Sequence, residues 1–263
     1  MLKTEIDERG LATVTLNRPE MHNAFDEALI AGLQETFSGL ADNADVRVIV
    51  LRAEGKSFCA GADLNWMKRM SEYSRDENLA DGKALAGMLN TIATCPQPVI
   101  GEVQGPAYGG GVGMVSVCDI AVASEKARFI FSEVKLGITP ATISPYVIAA
   151  IGARQAHRYF LTAELFDAGT ALEMGLVHEV VAPESLRETV DGMVDAMLKN
   201  SPAAMVAAKD LIHAVAGKPI GQAVLDDTAA RIADIRATDE GKEGIRAFLE
   251  KRTPAWVQEP GER

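Results

Sequence analysis

Three cysteines in 263 residues are too few to staple a fold. Cys59, Cys95 and Cys118 contain no C-x-x-C pair and cannot all pair with one another, so free thiols in a reducing compartment are expected. Positive charge is also short. The 26 Lys and Arg stand against 37 Asp and Glu, a formal net charge of −11, which argues against nucleic-acid binding. A local cation or a helix N-terminus can still hold a small anion. Four histidines are scattered along the chain, and His178-Glu179 meets Ala182 where a zinc-binding H-E-x-x-H needs its second histidine. There is no G-x-S-x-G elbow. Gly55-Lys56-Ser57 resembles the end of a phosphate loop, but Val50 stands where its first glycine belongs. The longest uncharged stretch, 136–153, is broken by Gly137, Pro140, Pro145 and Gly152, so no bilayer-crossing helix is expected. Met1–Glu5 lacks the apolar run of a signal peptide, and a cytoplasmic location is the expectation.

What is present is an ordinary globular balance, 48% apolar and 24% charged, long enough for a real core. Strand and helix signals alternate in the first half. Leu11–Leu16 reads as a strand after a Glu8-Arg9-Gly10 turn, and Asp26 is placed to cap a helix with Leu29, Ile30, Leu33, Phe37 and Leu40 on one face. The run Val46–Leu51 suits a strand buried on both faces. A helix bearing Leu85, Met88, Leu89 and Ile92 should stop at Cys95-Pro96. Val99–Val103, Ile120–Ala123 and Phe129–Phe131 read as further strands, the last two joined by a turn at 124–127. Beyond Pro145 helical patterns dominate, at 146–151, 154–161, 167–174, 185–198, 203–214 and 221–237, with one strand at His178–Val181. With no linker between the halves, we expect an α/β fold with a core over residues 1–200 and a C-terminal helical region over 201–263 that packs on the core or on a neighbouring subunit. The end of the chain, 258–263, is expected to be disordered.

Three segments could carry chemistry. Gly105–Met114 follows a strand, precedes an apolar helix and contains Gly109-Gly110-Gly111. Such glycines let the backbone approach a ligand, and the unsatisfied N–H groups at a helix start attract negative charge. They serve close helix–strand packing equally well. Met114 occupies the last glycine position of a dinucleotide fingerprint. Ser57–Leu64 is a second small-residue loop between a strand and a helix over Leu64–Met70, with Asp63 as its cap. Two such loops at the ends of parallel strands could each aim one N–H at the same oxygen, the construction of an oxyanion hole. Finally, Glu133 stands at the end of an apolar strand. There a carboxylate is paired with a cation, solvated, or partly desolvated and fit for proton transfer.

Taken together, Leu16-Asn17-Arg18-Pro19, Asn23-Ala24, Ala60-Gly61-Ala62-Asp63, Gly105-Pro106-Ala107 through Gly111, Cys118-Asp119, Ser132-Glu133-Val134 with Gly137, Leu161-Thr162 and Gly175-Leu176-Val177 resemble the crotonase, or enoyl-CoA hydratase/isomerase, family in order and over nearly the whole chain. The resemblance implies a spiral of ββα units with a helical C-terminal trimerisation region, homotrimers or hexamers, and acyl-CoA thioester substrates. It implies no cofactor beyond the coenzyme A of the substrate, no metal, no nucleic acid and no membrane. Carried over by motif, the oxyanion donors fall on the N–H groups of Ala62 and Gly110. The catalytic acid falls on Glu133, and contacts to the thioester fall on Ala60, Gly61, Asp63, Leu64, Gly111 and Gly113. The second family glutamate falls on Gly113, which has no side chain.

A single carboxylate suits a double-bond isomerase. Asp63–Met67 and Ser132–Ala141 with Ile143–Val147 instead resemble bacterial hydratases for branched glutaconyl-CoA (methylglutaconyl-CoA) thioesters, as in leucine degradation. There the substrate's own second carboxylate, or a water held near Gly113, would replace the missing acid. Hydration is the preferred expectation, with isomerisation and a catalytically silent acyl-CoA binder as alternatives. Arg18 and Lys56 are candidate partners of the coenzyme A phosphates, the alternative for each being a solvated surface charge, and the 251–256 segment is a candidate to reach the ligand or an adjacent subunit.

Overall fold

The computed structural model describes residues 1–257. Its centre is a six-stranded sheet in the order β1 (Leu2–Ile6), β2 (Leu11–Leu16), β3 (Val48–Ala53), β4 (Val99–Val103), β6 (Ile120–Ser124) and β9 (Glu179–Val181). β1 and β2 are antiparallel, and the other pairings are parallel. Parallel neighbours need crossovers. These are α1 (Glu27–Ala41), then α2 (Leu64–Met70) with α3 (Arg75–Ala93), then α4 (Gly110–Val117), then α5 (Ser144–Thr162) with α6 (Ala168–Met174). A small second sheet joins β5 (Ala107–Tyr108), β7 (Arg128–Ile130) and β8 (Phe166–Asp167).

β3 shows why its sequence is an unbroken apolar run. Val48 and Val50 pack with Ile100 and Val122 against Leu186, Val190 and Val194 of α7 (Leu186–Leu198). Ile49 and Leu51 face the other way, into a cluster with Leu33, Phe37 and Met88. Side chains of a strand alternate faces, so both faces must be apolar.

The C-terminal helices α8 (Pro202–Val215), α9 (Gln222–Ala237) and α10 (Asp239–Glu250) follow. α8 is tied to the core by Lys209, whose Nζ lies 2.7 Å from Asp119 Oδ2 and 3.3 Å from the Gln97 carbonyl. Arg47 holds the following segment through the carbonyls of Leu198, Asn200 and Trp256. Among the described residues no helix is long and apolar enough to cross a membrane.

The α/β expectation holds. The expected helices at 146–151 and 154–161 are both present within α5, parted by non-helical backbone at Gly152 (φ 73°, ψ 157°). The turn at 124–127 links β6 to β7 as expected, the two strands lying in different sheets. Sequence patterning does not reveal β1, largely exposed and polar, or α10, which lies in a stretch dense with charge. The expectation for 258–263 lies outside the described residues.

Candidate active site

Two loops meet where β3 and β4 run out. Residues 59–63 thread between two neighbours. The Cys59 N–H donates to the Pro106 carbonyl (3.2 Å), and the Cys59 carbonyl accepts from the Tyr108 N–H (2.9 Å). Further on, the Gly61 carbonyl accepts from the Phe25 N–H and the Asp63 N–H donates to the Phe25 carbonyl, both at 2.7 Å. In a parallel bridge of this kind the central residue turns its own amide the other way, so the Ala62 N–H points away from Phe25. On the second loop Gly109 takes φ 50°, ψ −118°, and Gly110 opens α4 with its N–H among the unsatisfied first-turn amides. Among the described residues, neither the Ala62 N–H nor the Gly110 N–H donates to a protein acceptor.

The glycines are set by close approach. A Cβ on Gly61 would lie 3.0 Å from the Tyr108 carbonyl oxygen, and one on Gly110 would lie 2.9 Å from the Phe25 ring. At Gly109 the obstacle is the carboxyl itself, because a Cβ there would stand 3.1 Å from Glu133 Oε1. Glu133 thus lies directly over the turn that precedes Gly110. It begins a 3₁₀ turn, Glu133–Leu136, and not a strand end as expected. The turn is closed by the Ile138 N–H on the Glu133 carbonyl (3.2 Å). Glu133 Oε2 is buried without a hydrogen-bond partner. Burial holds the Glu133 carboxyl above the ordinary carboxylate range, against a smaller opposing pull from a backbone amide.

Ala60, Gly61, Ala62, Leu64, Gly110 and Glu133 all line one cavity of about 410 Å³. Asp63, Gly111 and Gly113 do not. Asp63 caps α2 through the Asn65 and Trp66 amides (2.8 and 3.3 Å), and its other oxygen lies 3.5 Å from Arg18. Gly111 packs on the Cys59 carbonyl, which a Cβ would approach to 2.5 Å. At Gly113 a Cβ would run into Ile143, with Ile143 Cβ at 2.9 Å. The position onto which the resemblance carries the second family glutamate is therefore closed to a side chain by Ile143.

Arg18 is also reassigned. It bridges Asp26 (2.6 Å) and Asp63, the caps of α1 and α2, and so braces the loop instead of standing free for a phosphate. Asn23, in left-handed conformation (φ 54°), fixes the same loop by donating to the Glu54 and Ser57 carbonyls (2.8 and 2.9 Å). Lys56 is exposed and enters no salt bridge among the described residues. Cys59 is fully buried and its thiol is pushed up to about 12 by desolvation, which makes it a spectator.

Sequence reasoning missed the opposite wall. It is built from Trp66, Met67 and Met70 of α2, Asp81 and Leu85 of α3, and the 136–143 segment. The lining contains two acids, Asp81 and Glu133, and no Lys, Arg or His. A second carboxylate on the substrate would find no counter-charge there.

Such a site can polarise a carbonyl with two backbone amides and move a proton beside it. Residues 7–259 match the family model described as enoyl-CoA hydratase/isomerase. An enoyl-CoA hydratase of Shewanella pealeana superposes with a TM-score of 0.94 at 43% identity, over 97% of this chain and 95% of that one. Pseudomonas aeruginosa AtuE does so with a TM-score of 0.93 at 36% identity, over 98% and 99%. Among curated proteins, the mitochondrial enoyl-CoA hydratase domain-containing protein 3 of Xenopus laevis is 30% identical, over 95% of this chain and 84% of that protein. The chain belongs to the enoyl-CoA hydratase/isomerase, or crotonase, family.

Proposed function

We propose that this protein adds water to an α,β-unsaturated enoyl-CoA thioester through an enolate held by the Ala62 and Gly110 amides, with Glu133 as the single acid–base group. The observation that carries this reading is the convergence on one cavity of two unpartnered amides and a carboxyl with a free, buried oxygen. The thioester oxygen accepts from both amides. Ionised Glu133 takes a proton from water as its oxygen bonds to Cβ. The C=C electrons move to the thioester oxygen, and protonated Glu133 then returns its proton to Cα as the enolate collapses. Each hole donor contributes on the order of 3 kcal/mol to the barrier reduction.

The substrate class follows from the wall. Its aliphatic and thioether side chains, with no cation, fit an uncharged acyl chain better than the branched glutaconyl thioester expected from sequence. One observation favours a second reading: with Ile143 against Gly113, a lone carboxyl also suffices to carry a proton between Cα and Cγ in an isomerase. The helices α8, α9 and α10 are assigned to assembly as a homotrimer or hexamer, a reading supported by exposed Ile220, Phe248 and Leu249.

Incubation with a short enoyl-CoA should bleach the conjugated thioester absorbance and yield a product heavier by one water. A product of unchanged mass with a shifted double bond would instead establish the isomerase. Glu133→Gln should lower turnover by roughly 10²- to 10⁴-fold while a saturated acyl-CoA still binds. Unchanged turnover in that variant would refute the mechanism.

A further inference from the structure

We propose that Asp81 sets the acyl specificity of this cavity, admitting uncharged enoyl chains and turning away thioesters whose acyl chain ends in a carboxylate. The inference rests on the thioester reading above and names which part of the wall selects the substrate.

The placement comes from α3. Asp81, Leu85 and Leu89 are spaced i, i+4, i+8 and share one face of the helix. Leu89 is fully buried behind the cavity, 3.7 Å from where a Cβ on Gly113 would be. Leu85 and Asp81 line the cavity one and two turns back along the helix, about 6 and 12 Å from Leu89 along its axis. A chain that extends past Leu85 meets the Asp81 carboxyl.

Asp81 has no salt-bridge partner among the described residues. Its neighbours do not neutralise it. The buried Trp66 indole N–H, which lines the same wall and makes no hydrogen bond, is close enough to favour the ionised form. Glu27, already paired with Arg69 (2.6 Å), adds further negative charge. Burial opposes ionisation most strongly, so a second anion beside Asp81 would add to a cost the site already bears. The mechanism makes no use of Asp81.

The test is a binding comparison that does not depend on turnover. Wild type, Asp81→Asn and Asp81→Ser are titrated calorimetrically with hexanoyl-CoA against adipoyl-CoA, and with octanoyl-CoA against suberoyl-CoA. Like charges about 5 Å apart at an effective dielectric near 20 predict discrimination of at least 10-fold in wild type at one or both lengths, shrinking as salt is raised. Both variants should bring the two dissociation constants to within about threefold of each other, with melting curves checking that they fold. Equal affinity for charged and uncharged chains in wild type overturns the proposal. So does a ratio that survives both substitutions, and a failure of both variants to fold, since Asp81 would then be structural. Binding with the stated ratio, combined with no water addition to the matching 2-enoyl-CoA thioesters, would refute the hydratase reading alone. Failure of every thioester to bind refutes both.

Discussion

On one side of the cavity the chain presents backbone, and on the other it presents side chains. The first wall is made of residues 60–62 and 109–110, backed by Cys59 and Tyr108, where the Ala62 and Gly110 amides are unpartnered and glycines are forced by contact. Phe25, the Tyr108 carbonyl and Glu133 each occupy the space a side chain would need. The second wall, from α2, α3 and 136–143, is looser. Leu64, at the edge where the walls meet, is 77% exposed, Leu136 55% and Ile138 52%. The difference separates two tasks. Stabilising an enolate requires donors that do not move, and backbone braced by strands supplies them. Fitting an acyl chain requires shape and charge, which side chains on helices can vary without disturbing the hole.

The sharpest way to break that contrast is to place a methyl group in the first wall. Gly109→Ala must adopt φ 50° and pushes against Glu133 Oε1. A displacement near 1 Å at a reacting group costs on the order of 10²-fold in turnover, so kcat should fall by about that factor. Leu85→Ala, on the second wall, should act chiefly on KM. If the two substitutions change kcat equally, the division of labour is wrong.

Next in size is Gly113→Glu, which restores the residue the family pattern leads one to expect. The structure says it cannot work alone, because Ile143 holds the space. Overpacking a buried site typically costs about 1–3 kcal/mol, and a buried carboxylate adds to that. The expected outcome is a lower melting temperature with no gain in hydration. Pairing it with Ile143→Ala should recover part of the stability. A stable single variant with raised hydratase activity would show that the turn yields more readily than its contacts allow.

This same pair of residues marks how far the sequence is legible. The two loops, their strands and Glu133 can be read directly, because glycine spacing and apolar periodicity are local signals. That Ile143 closes over Gly113 cannot, since 30 positions separate them and only tertiary packing brings them together. Asp81 is harder still. It sits among Arg75, Asp76, Glu77 and Lys83, where an acid looks like any solvated surface charge. Arg18 is ambiguous in sequence for a related reason: as a lone cation in a loop it resembles a phosphate ligand until Asp26 and Asp63 fold against it.

A smaller effect should appear in pH dependence. Glu133 begins the reaction as a base, and burial raises its pKa, so the acid limb of kcat/KM should lie above the ordinary glutamate value of about 4.5, with activity falling as pH drops through it. The folded state also holds that proton more tightly than the unfolded chain. Between 4.5 and the raised pKa, stability should therefore decline as pH increases, and Glu133→Gln should remove that part of the slope in melting temperature. An acid limb at or below 4.5 would mean that Glu133 is better solvated than its burial indicates.

The smallest expected effect is none at all, and it tests the first wall most simply. If that wall works through its backbone, its one nucleophilic side chain should be inert. Cys59 is fully buried, its amide and carbonyl are engaged with Pro106 and Tyr108, and desolvation pushes its thiol to about 12. A thiol there carries almost no thiolate near neutral pH, and its sulfur has no path to a reagent. Folded protein treated with iodoacetamide at pH 8 should show no modification of Cys59 by peptide mass analysis and no loss of activity, whereas denatured protein should be labelled. Rapid labelling of the folded enzyme with loss of turnover would place the side chain inside the reactive space, and the first wall would then no longer be backbone alone.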